Sequence, residues 1–215
     1  MMKYSVIIFD LDGVICHTDW YHFQAWKSIA DELDIHFDET INNRLRGVSR
    51  MESFEIILEL YPIAMQPGDK EKWAAKKNDI YVGLLANLTP ADVSLEVKNT
   101  LEKLKESGCK LAIGSSSKNA QLILSQIGLL DFFDVIVDGT HIKNSKPHPE
   151  VFLLGAESVG MPSISCLVVE DAESGVNAAI AAGMDVAAIG DAVNCGKGTY
   201  NLSSFADILG IVIDS

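Results

Sequence analysis

The stretch at residues 6–13, VIIFDLDG, constrains the fold of this chain more than any other. Its four leading apolar residues are typical of a strand buried on both faces of a parallel sheet. Two carboxylates, Asp10 and Asp12, follow where that strand ends, and Gly13 permits a sharp exit. Ligands of open α/β sheets bind at the carboxyl ends of the strands, so we expect chemistry here. An ordinary acidic turn is the alternative interpretation of Asp-x-Asp taken alone.

Apolar segments and helical patterns alternate from residue 92 onwards. Short strands are predicted at 110–114, 134–137, 166–169 and 185–189, with helical periodicity between them. Repeated β–α units with short apolar strands indicate an α/β protein with a doubly wound, parallel, Rossmann-like sheet.

A helical block, from about residue 18 to residue 87, precedes this alternation. Apolar residues recur at helical spacing in three segments, about 20–33, 49–61 and 68–85, and the second segment stops before Pro62. No convincing strand pattern occurs in the block.

The position of this block between the first two strands predicts an inserted domain, because both its ends return to the same rim of the sheet. We therefore expect a helical cap domain at residues 15–87 and a catalytic core made of residues 1–14 and 88–215. A helical excursion packed on the core is the alternative.

Charge and composition narrow the possible partners. The formal net charge of −13 argues against binding to nucleic acid or to an anionic membrane, because both favour positive surfaces. The four cysteines are scattered without a Cys-x-x-Cys pair, as expected for free thiols in a reducing compartment. The first strand begins too early for a signal peptide, and no apolar run approaches the ~20 residues that span a membrane. These features predict a cytoplasmic protein.

Polar side chains follow several of the predicted strands and should meet on one rim of the sheet. Carboxylates at this rim suit Mg²⁺, which commonly binds a few carboxylates together with phosphate and water. Serines that open a helix suit phosphate, and a nearby lysine would offset its charge. Taken singly, each group has an alternative interpretation. The serines could cap a helix, the lysine could lie in a solvated loop, and the acidic pair could form a polar turn. The residues are Asp10, Asp12, Ser115, Ser116, Ser117, Lys118, Lys146, Glu170 and Asp171.

Four motifs in order, Asp10-Leu11-Asp12-Gly13-Val14, Ser115, Lys146-Pro147 and Glu170-Asp171, resemble the signature of the haloacid-dehalogenase-like superfamily. The resemblance implies that Asp10 is a nucleophile that becomes an aspartyl-phosphate and that Asp12 is a general acid and base. The dehalogenases themselves lack the second aspartate, so Asp12 favours phosphoryl transfer.

The helical block narrows the resemblance to the β-phosphoglucomutase family, through Thr18, Tyr21-His22, Ala25-Trp26, residues 46–50 (RGVSR) and residues 76–79 (KKND). Members of that family interconvert β-D-glucose 1-phosphate and glucose 6-phosphate through bound β-glucose 1,6-bisphosphate. The resemblance therefore implies a hexose phosphate as substrate and this bisphosphate as activator and intermediate.

The resemblance also implies roles for individual residues. Mg²⁺ would be bound by Asp10, Glu170, Asp171 and the backbone carbonyl of Asp12. The transferred phosphate would be held by Ser115, Ser116 and Lys146, and the distal phosphate by Arg50, Ser117, Lys118 and Asn119.

Further roles fall to the cap. His22 and Lys77 would position Asp12 when the cap closes. The remaining cap residues assigned to catalysis or substrate binding are Thr18, Trp26, Arg46, Gly47, Val48 and Ser49. The alternatives are core packing for Trp26, a satisfied structural histidine for His22 and a surface arginine for Arg50.

Two other functions remain open from the sequence. A Mg²⁺-dependent sugar-phosphate phosphatase would use the same aspartates with water as acceptor. A non-catalytic phosphosugar-binding module is the other alternative, although every expected acidic group is present. We expect a monomer.

Overall fold

The computed structural model describes residues 3–59, 61 and 64–213. Within these residues a six-stranded sheet has the order β3-β2-β1-β4-β5-β6, and every neighbouring pair is parallel. This arrangement confirms the predicted α/β class and places β1 in the interior of the sheet. The strands are β1 (Val6–Phe9), β2 (Lys110–Gly114), β3 (Val135–Val137), β4 (Cys166–Glu170), β5 (Asp185–Ala188) and β6 (Tyr200–Asn201).

Helices connect the strands, and among the described residues four of them lie between β1 and β2: α1 (Asp19–Glu32), α2 (Glu39–Asn43), α3 (Arg50–Leu58) and α4 (Pro67–Leu85). The later helices are α5 (Leu95–Glu106), α6 (Ala120–Gln126), α7 (Glu150–Val159), α8 (Glu173–Ala181) and α9 (Ile208–Val212). Short 3₁₀ turns occupy residues 90–92, 163–165, 190–195 and 205–207.

The strand register brings the predicted site residues to one rim. All four residues of β1 are fully buried, and Phe9 lies level with Ile113 of β2 and Val169 of β4. The polar residues that follow these three strands therefore emerge side by side. This confirms the expectation drawn from the ends of the strands.

Apolar packing occurs in three clusters. Ile7 and Phe9 belong to one cluster, whereas Val6 and Ile8 belong to another, as expected for alternating side chains of a strand covered on both faces. A third cluster joins α1 and α3 around the stacked rings of Trp26 and Phe54, whose centroids are 5.6 Å apart. Ala25, Tyr81 and Leu85 of the same helical block pack in the first cluster, however, so a cap at residues 15–87 stays a prediction.

Some elements differ from the sequence predictions. The short helix α2 and the two-residue strand β6 were not predicted, and β5 ends at Ala188 rather than residue 189. Helix α3 ends at Leu58, and Pro62, the predicted stop, lies outside the described residues. In the part of the chain that is described, no helix has the length and apolar character needed to cross a membrane.

Candidate active site

The loop after β1 presents Asp10 and Asp12 at the rim. Gly13 has a φ of +82°, and a Cβ on it would lie 2.0 Å from Asp171 Oδ2. The turn thus needs glycine both for its backbone conformation and for the approach of Asp171. Burial, and then the charge of Asp10, raise the pKa of Asp12 to about 7.

Three buried carboxylates, from Asp10, Glu170 and Asp171, converge beside this loop. They offer one oxygen each, and these oxygens lie within 4.8 Å of one another. Burial, with the charges of the neighbouring carboxylates, raises the pKa of Glu170 to about 7 and that of Asp171 to about 9. A divalent cation would relieve this repulsion, so the three residues fit a Mg²⁺ site.

Lys146 lies against the same carboxylates and is buried. Its Nζ donates to Asp10 Oδ1 and Glu170 Oε1, each at 2.5 Å. Burial opposes the ammonium, but the charges of Asp10 and Glu170 outweigh it and raise the pKa of Lys146. A solvated loop lysine, the alternative interpretation of the sequence, is therefore wrong. A buried cation at this place can offset the charge of a bound phosphate.

The loop after β2 supplies hydroxyl and amide groups. Ser115 Oγ accepts from the Ser117 backbone N–H at 3.1 Å, and Ser117 Oγ accepts from that of Asn119 at 3.2 Å. Ser116 Oγ is buried without a hydrogen-bond partner among the described residues, and Ser116 lines the cavity described below. An unpaired buried hydroxyl is costly unless a ligand satisfies it. Lys118 lies beside these serines and is exposed.

Helices α1 and α4 contribute a hydrogen-bonded pair of side chains beside Asp12, the half-buried His22 and the buried Lys77. Lys77 Nζ and His22 Nδ1 hydrogen-bond at 2.8 Å, and Lys77 Nζ lies 5.1 Å from the centroid of the Trp26 ring. Burial, and then the neighbouring cations, lower the pKa of both His22 and Lys77. Thr18, which is fully buried, donates from Oγ1 to Asp12 Oδ1. Both side chains therefore lie next to the Asp12 carboxyl in surroundings that disfavour their charged forms.

Arg50 begins helix α3, which Ser49 caps through a capping box with Glu52. Its Nη2 donates to Asn78 Oδ1 at 2.7 Å, and Asn119 Nδ2 donates to the same oxygen at 2.9 Å. Asn78 thus joins a cap arginine to the loop after β2. Asn78 Oδ1 therefore accepts from both Arg50 and Asn119, and a phosphate oxygen could accept from the same two donors.

Arg46 makes ion pairs with helix α1 and with the segments that follow β4 and β5. Its guanidinium lies 2.7 Å from both Asp19 and Asp191 and 3.8 Å from Asp171. The backbone carbonyl of Arg46 accepts from Ser174 Oγ at 3.4 Å. The segment that begins at Arg46 is therefore docked on the core beside the carboxylate cluster.

The next residues of this segment, Gly47 and Val48, line the same cavity. Gly47 has a φ of +74°, and a Cβ there would lie 2.1 Å from Ser174 Oγ. Close docking on helix α8 therefore requires glycine at this position.

A cavity of about 550 Å³ lies between the helical block and the sheet rim. It brings together all but one of the site residues predicted from the sequence. The lining set is Asp10, Asp12, His22, Trp26, Arg46, Gly47, Val48, Ser49, Arg50, Lys77, Ser115, Ser116, Ser117, Lys118, Asn119, Lys146, Glu170 and Asp171. Thr18 does not line the cavity but contacts Asp12 through its hydroxyl.

Sequence reasoning assigned no role to two contact-forming residues of α4, although Asn78 belongs to the motif at residues 76–79 that carries the family resemblance. Asn78 makes the bridge to Arg50 and Asn119, and Tyr81 donates its hydroxyl proton to Thr18 at 3.0 Å. Tyr81 is four residues after Lys77, so helical spacing alone could have placed the two side chains on one face.

Comparisons with known proteins agree with this architecture. β-Phosphoglucomutase of Bacillus subtilis (strain 168) is 40% identical over 188 residues, covering 86% of this chain and 83% of the relative. Fructose-1-phosphate phosphatase YqaB of Escherichia coli (strain K12) is 32% identical over 185 residues, covering 85% and 95%. The crystal structure of β-phosphoglucomutase from Clostridium difficile matches with a TM-score of 0.89 at 35% identity, covering 95% of this chain and 93% of that one.

A family model described as haloacid dehalogenase-like hydrolase matches residues 7–189. This range includes both aspartates after β1, the loop after β2, Lys146 and the acidic pair at the end of β4. The predicted resemblance is therefore confirmed, and the chain belongs to the haloacid dehalogenase-like hydrolase family.

Proposed function

We propose that this enzyme is a β-phosphoglucomutase, which interconverts β-D-glucose 1-phosphate and glucose 6-phosphate. One observation carries the proposal: one cavity among the described residues is lined by two groups of side chains that could bind phosphate. Ser115 and Lys146 lie at the Asp10 end, whereas Arg50 and Asn119 meet at Asn78. A mutase must hold a sugar bisphosphate by both phosphates, and this cavity offers donors for each. The B. subtilis and C. difficile relatives carry the same name.

Asp10 is the nucleophile in this proposal. In the phosphorylated enzyme, the C6 hydroxyl of β-glucose 1-phosphate attacks the phosphorus, and the bond from phosphorus to the Asp10 oxygen breaks. Asp12 takes the hydroxyl proton, and β-glucose 1,6-bisphosphate forms.

The bisphosphate then reorients in the cavity. Asp10 attacks the phosphate on C1, the bond from phosphorus to O1 breaks, and Asp12 returns the proton to O1. Glucose 6-phosphate leaves, and the phosphoenzyme is restored. A pKa near 7 suits Asp12 to both directions of proton transfer.

A Mg²⁺ ion would be held by carboxylates of Asp10, Glu170 and Asp171 and by the backbone carbonyl of Asp12. When bound, it would offset negative charge on the phosphoryl oxygens. The fit rests on the convergence of the three carboxylates and on two glycines that leave them room, Gly13 and Gly175. A Cβ on Gly175 would lie 1.8 Å from Glu170 Oε1.

The helical block supplies specificity and excludes water in this proposal. The phosphoenzyme must survive until a sugar phosphate arrives, so the site should close only over the correct substrate. Arg50 is the residue we assign to the distal phosphate, with Ser117, Lys118 and Asn119. Arg46, Gly47 and Val48 form the docked segment of the cap that borders the substrate.

A sugar-phosphate phosphatase is the second candidate, because the E. coli relative is named a fructose-1-phosphate phosphatase. Water would then accept the phosphoryl group from Asp10, and no distal phosphate would be required. We favour the mutase because Arg50 and Asn119 converge on one acceptor, Asn78 Oδ1, inside the cavity. We keep the predictions of a monomer and a cytoplasmic location.

A chase experiment tests the proposal. The enzyme is phosphorylated with acetyl phosphate, excess donor is removed, and the phosphoenzyme is mixed with β-glucose 1-phosphate or with buffer alone. We expect the sugar to take up the phosphoryl group as bisphosphate much faster than water releases it. Release of free phosphate at the same rate with and without sugar would overturn the mutase in favour of the phosphatase. Asp10→Asn should form no phosphoenzyme at all.

A further inference from the structure

Tyr81 of helix α4 lies behind the Asp12 carboxyl and has no role in the function proposed above. It is 1% exposed, and its hydroxyl donates to Thr18 Oγ1 at 3.0 Å. Its ring centroid lies 4.0 Å from that of His22 and 4.4 Å from Lys77 Nζ. The Tyr81 ring thus packs against both His22 and Lys77.

Thr18 sits at the N-cap position of α1, where a threonine hydroxyl normally accepts a backbone N–H of the first turn. Here no such hydrogen bond forms, and the Thr18 backbone has non-extended angles, φ −106° and ψ 3°. The hydroxyl donates instead to Asp12 Oδ1. The N-terminus of α1 therefore lacks a side-chain cap from Thr18, whose hydroxyl bonds Asp12 instead.

The direction of this hydrogen-bond chain follows from the number of protons. A threonine hydroxyl has one proton to donate and a tyrosine hydroxyl has one. Because Thr18 accepts the proton of Tyr81, its own proton is directed to Asp12. Without the tyrosine hydroxyl, the Thr18 hydroxyl could rotate and accept a backbone N–H of α1.

We propose that Tyr81 is a positioning residue, which acts through Thr18 to orient the Asp12 carboxyl for proton transfer to the sugar oxygen. This inference rests on the proposed function, in which Asp12 is the acid and base. Through Thr18, the hydrogen-bond chain also connects helix α4 to the loop after β1.

The test compares two phosphoryl donors that differ in their need for a proton. β-Glucose 1,6-bisphosphate expels a sugar alkoxide, which must be protonated, whereas acetyl phosphate expels acetate, which need not be. Rapid quenching measures the rate of phosphoenzyme formation from each donor. Tyr81→Phe keeps the ring and removes the hydroxyl alone, and Tyr21→Phe in α1 is the matched control.

We expect Tyr81→Phe to slow phosphorylation by the bisphosphate by roughly 10-fold. This is less than the ~10²–10⁴-fold contribution of a general acid, because the variant keeps Asp12 itself. Phosphorylation by acetyl phosphate should change by less than about twofold, within ~0.4 kcal/mol of barrier height. Thr18→Val combined with Tyr81→Phe should be no slower than Thr18→Val alone, because both changes break one chain.

The outcomes separate this inference from the function on which it rests. If Asp12→Asn loses the bisphosphate reaction selectively but Tyr81→Phe matches Tyr21→Phe, the role of Tyr81 is refuted. The same holds if Tyr81→Phe slows both donors equally, since that would indicate a merely structural role. If Asp12→Asn itself shows no selectivity between the donors, the acid–base assignment of the proposed function fails.

Discussion

Replacement of Arg50 by alanine is the perturbation that best separates the mutase from the phosphatase. The side chain is partly buried, lies at the first position of α3 and hydrogen-bonds Asn78. The Ser49 capping box does not involve its side chain. Alanine is a good helix former, so the fold should survive.

The expected magnitude can be worked from this environment. A guanidinium about 4 Å from a phosphate charge, at an effective dielectric constant of about 20, gains roughly 4 kcal/mol. When Arg50 binds the phosphate it loses its hydrogen bond to Asn78, which costs roughly 1 kcal/mol of this gain. The remaining ~3 kcal/mol corresponds to a loss of roughly 10²-fold in mutase kcat/KM. Arg50→Lys should lose less, since it keeps the charge without the planar fork.

Two assays on the same variants measure this effect. Formation of glucose 6-phosphate, followed by coupled oxidation, reports the mutase cycle, in which each phosphate occupies the distal position in turn. Hydrolysis of acetyl phosphate needs no distal phosphate and should change by less than about tenfold, or ~1.4 kcal/mol.

Arg44→Ala is the matched control, because Arg44 is an exposed cap arginine that pairs with Glu59 at 2.7 Å. It should leave both rates within about twofold, as expected for a surface ion pair worth at most ~1 kcal/mol. Equal losses in both assays for Arg50→Ala would refute the distal-phosphate assignment.

Two further predictions concern the metal site and acid stability. Gly175→Ala should weaken Mg²⁺ binding by roughly 10-fold or more in calorimetry, because a Cβ would displace the Glu170 carboxylate. The control is Gly83→Ala, where a Cβ would meet open space and Mg²⁺ affinity should not change. Equal Mg²⁺ affinities of the two variants would contradict this prediction. Hydrogen bonding, first from Tyr4, lowers the pKa of Asp185, so its contribution to stability is present above the unfolded pKa of about 4 and is lost as the pH falls through the folded value. The difference in melting temperature between wild type and Asp185→Asn should therefore shrink from pH 7 towards pH 3; a constant difference would count against it.

Local patterns predicted the parts of the site that follow buried strands. The apolar run of β1 and the two aspartates after it were sufficient to place Asp10 at the rim, because parallel strands share one direction. The position of Lys146 in a loop of the same rim suggested a cation for phosphate, but its burial could not be predicted. Its burial between two carboxylates comes from segments distant in sequence, and no local pattern encodes it.

Contacts between the helical block and the rest of the chain could not be predicted from the sequence, for the same reason. Arg46 was predicted to bind substrate, and the structure places its guanidinium against Asp19, Asp171 and Asp191 as well as at the cavity. Strand β6 was missed because two residues, Tyr200–Asn201, carry no detectable periodicity.

Phosphorus NMR tests the central claim most directly. β-Glucose 1-phosphate is incubated with the enzyme, Mg²⁺ and a trace of β-glucose 1,6-bisphosphate, and all phosphorus species are followed in one sample. The account predicts conversion to glucose 6-phosphate with the total sugar phosphate conserved. Accumulation of inorganic phosphate in step with the loss of β-glucose 1-phosphate would contradict it.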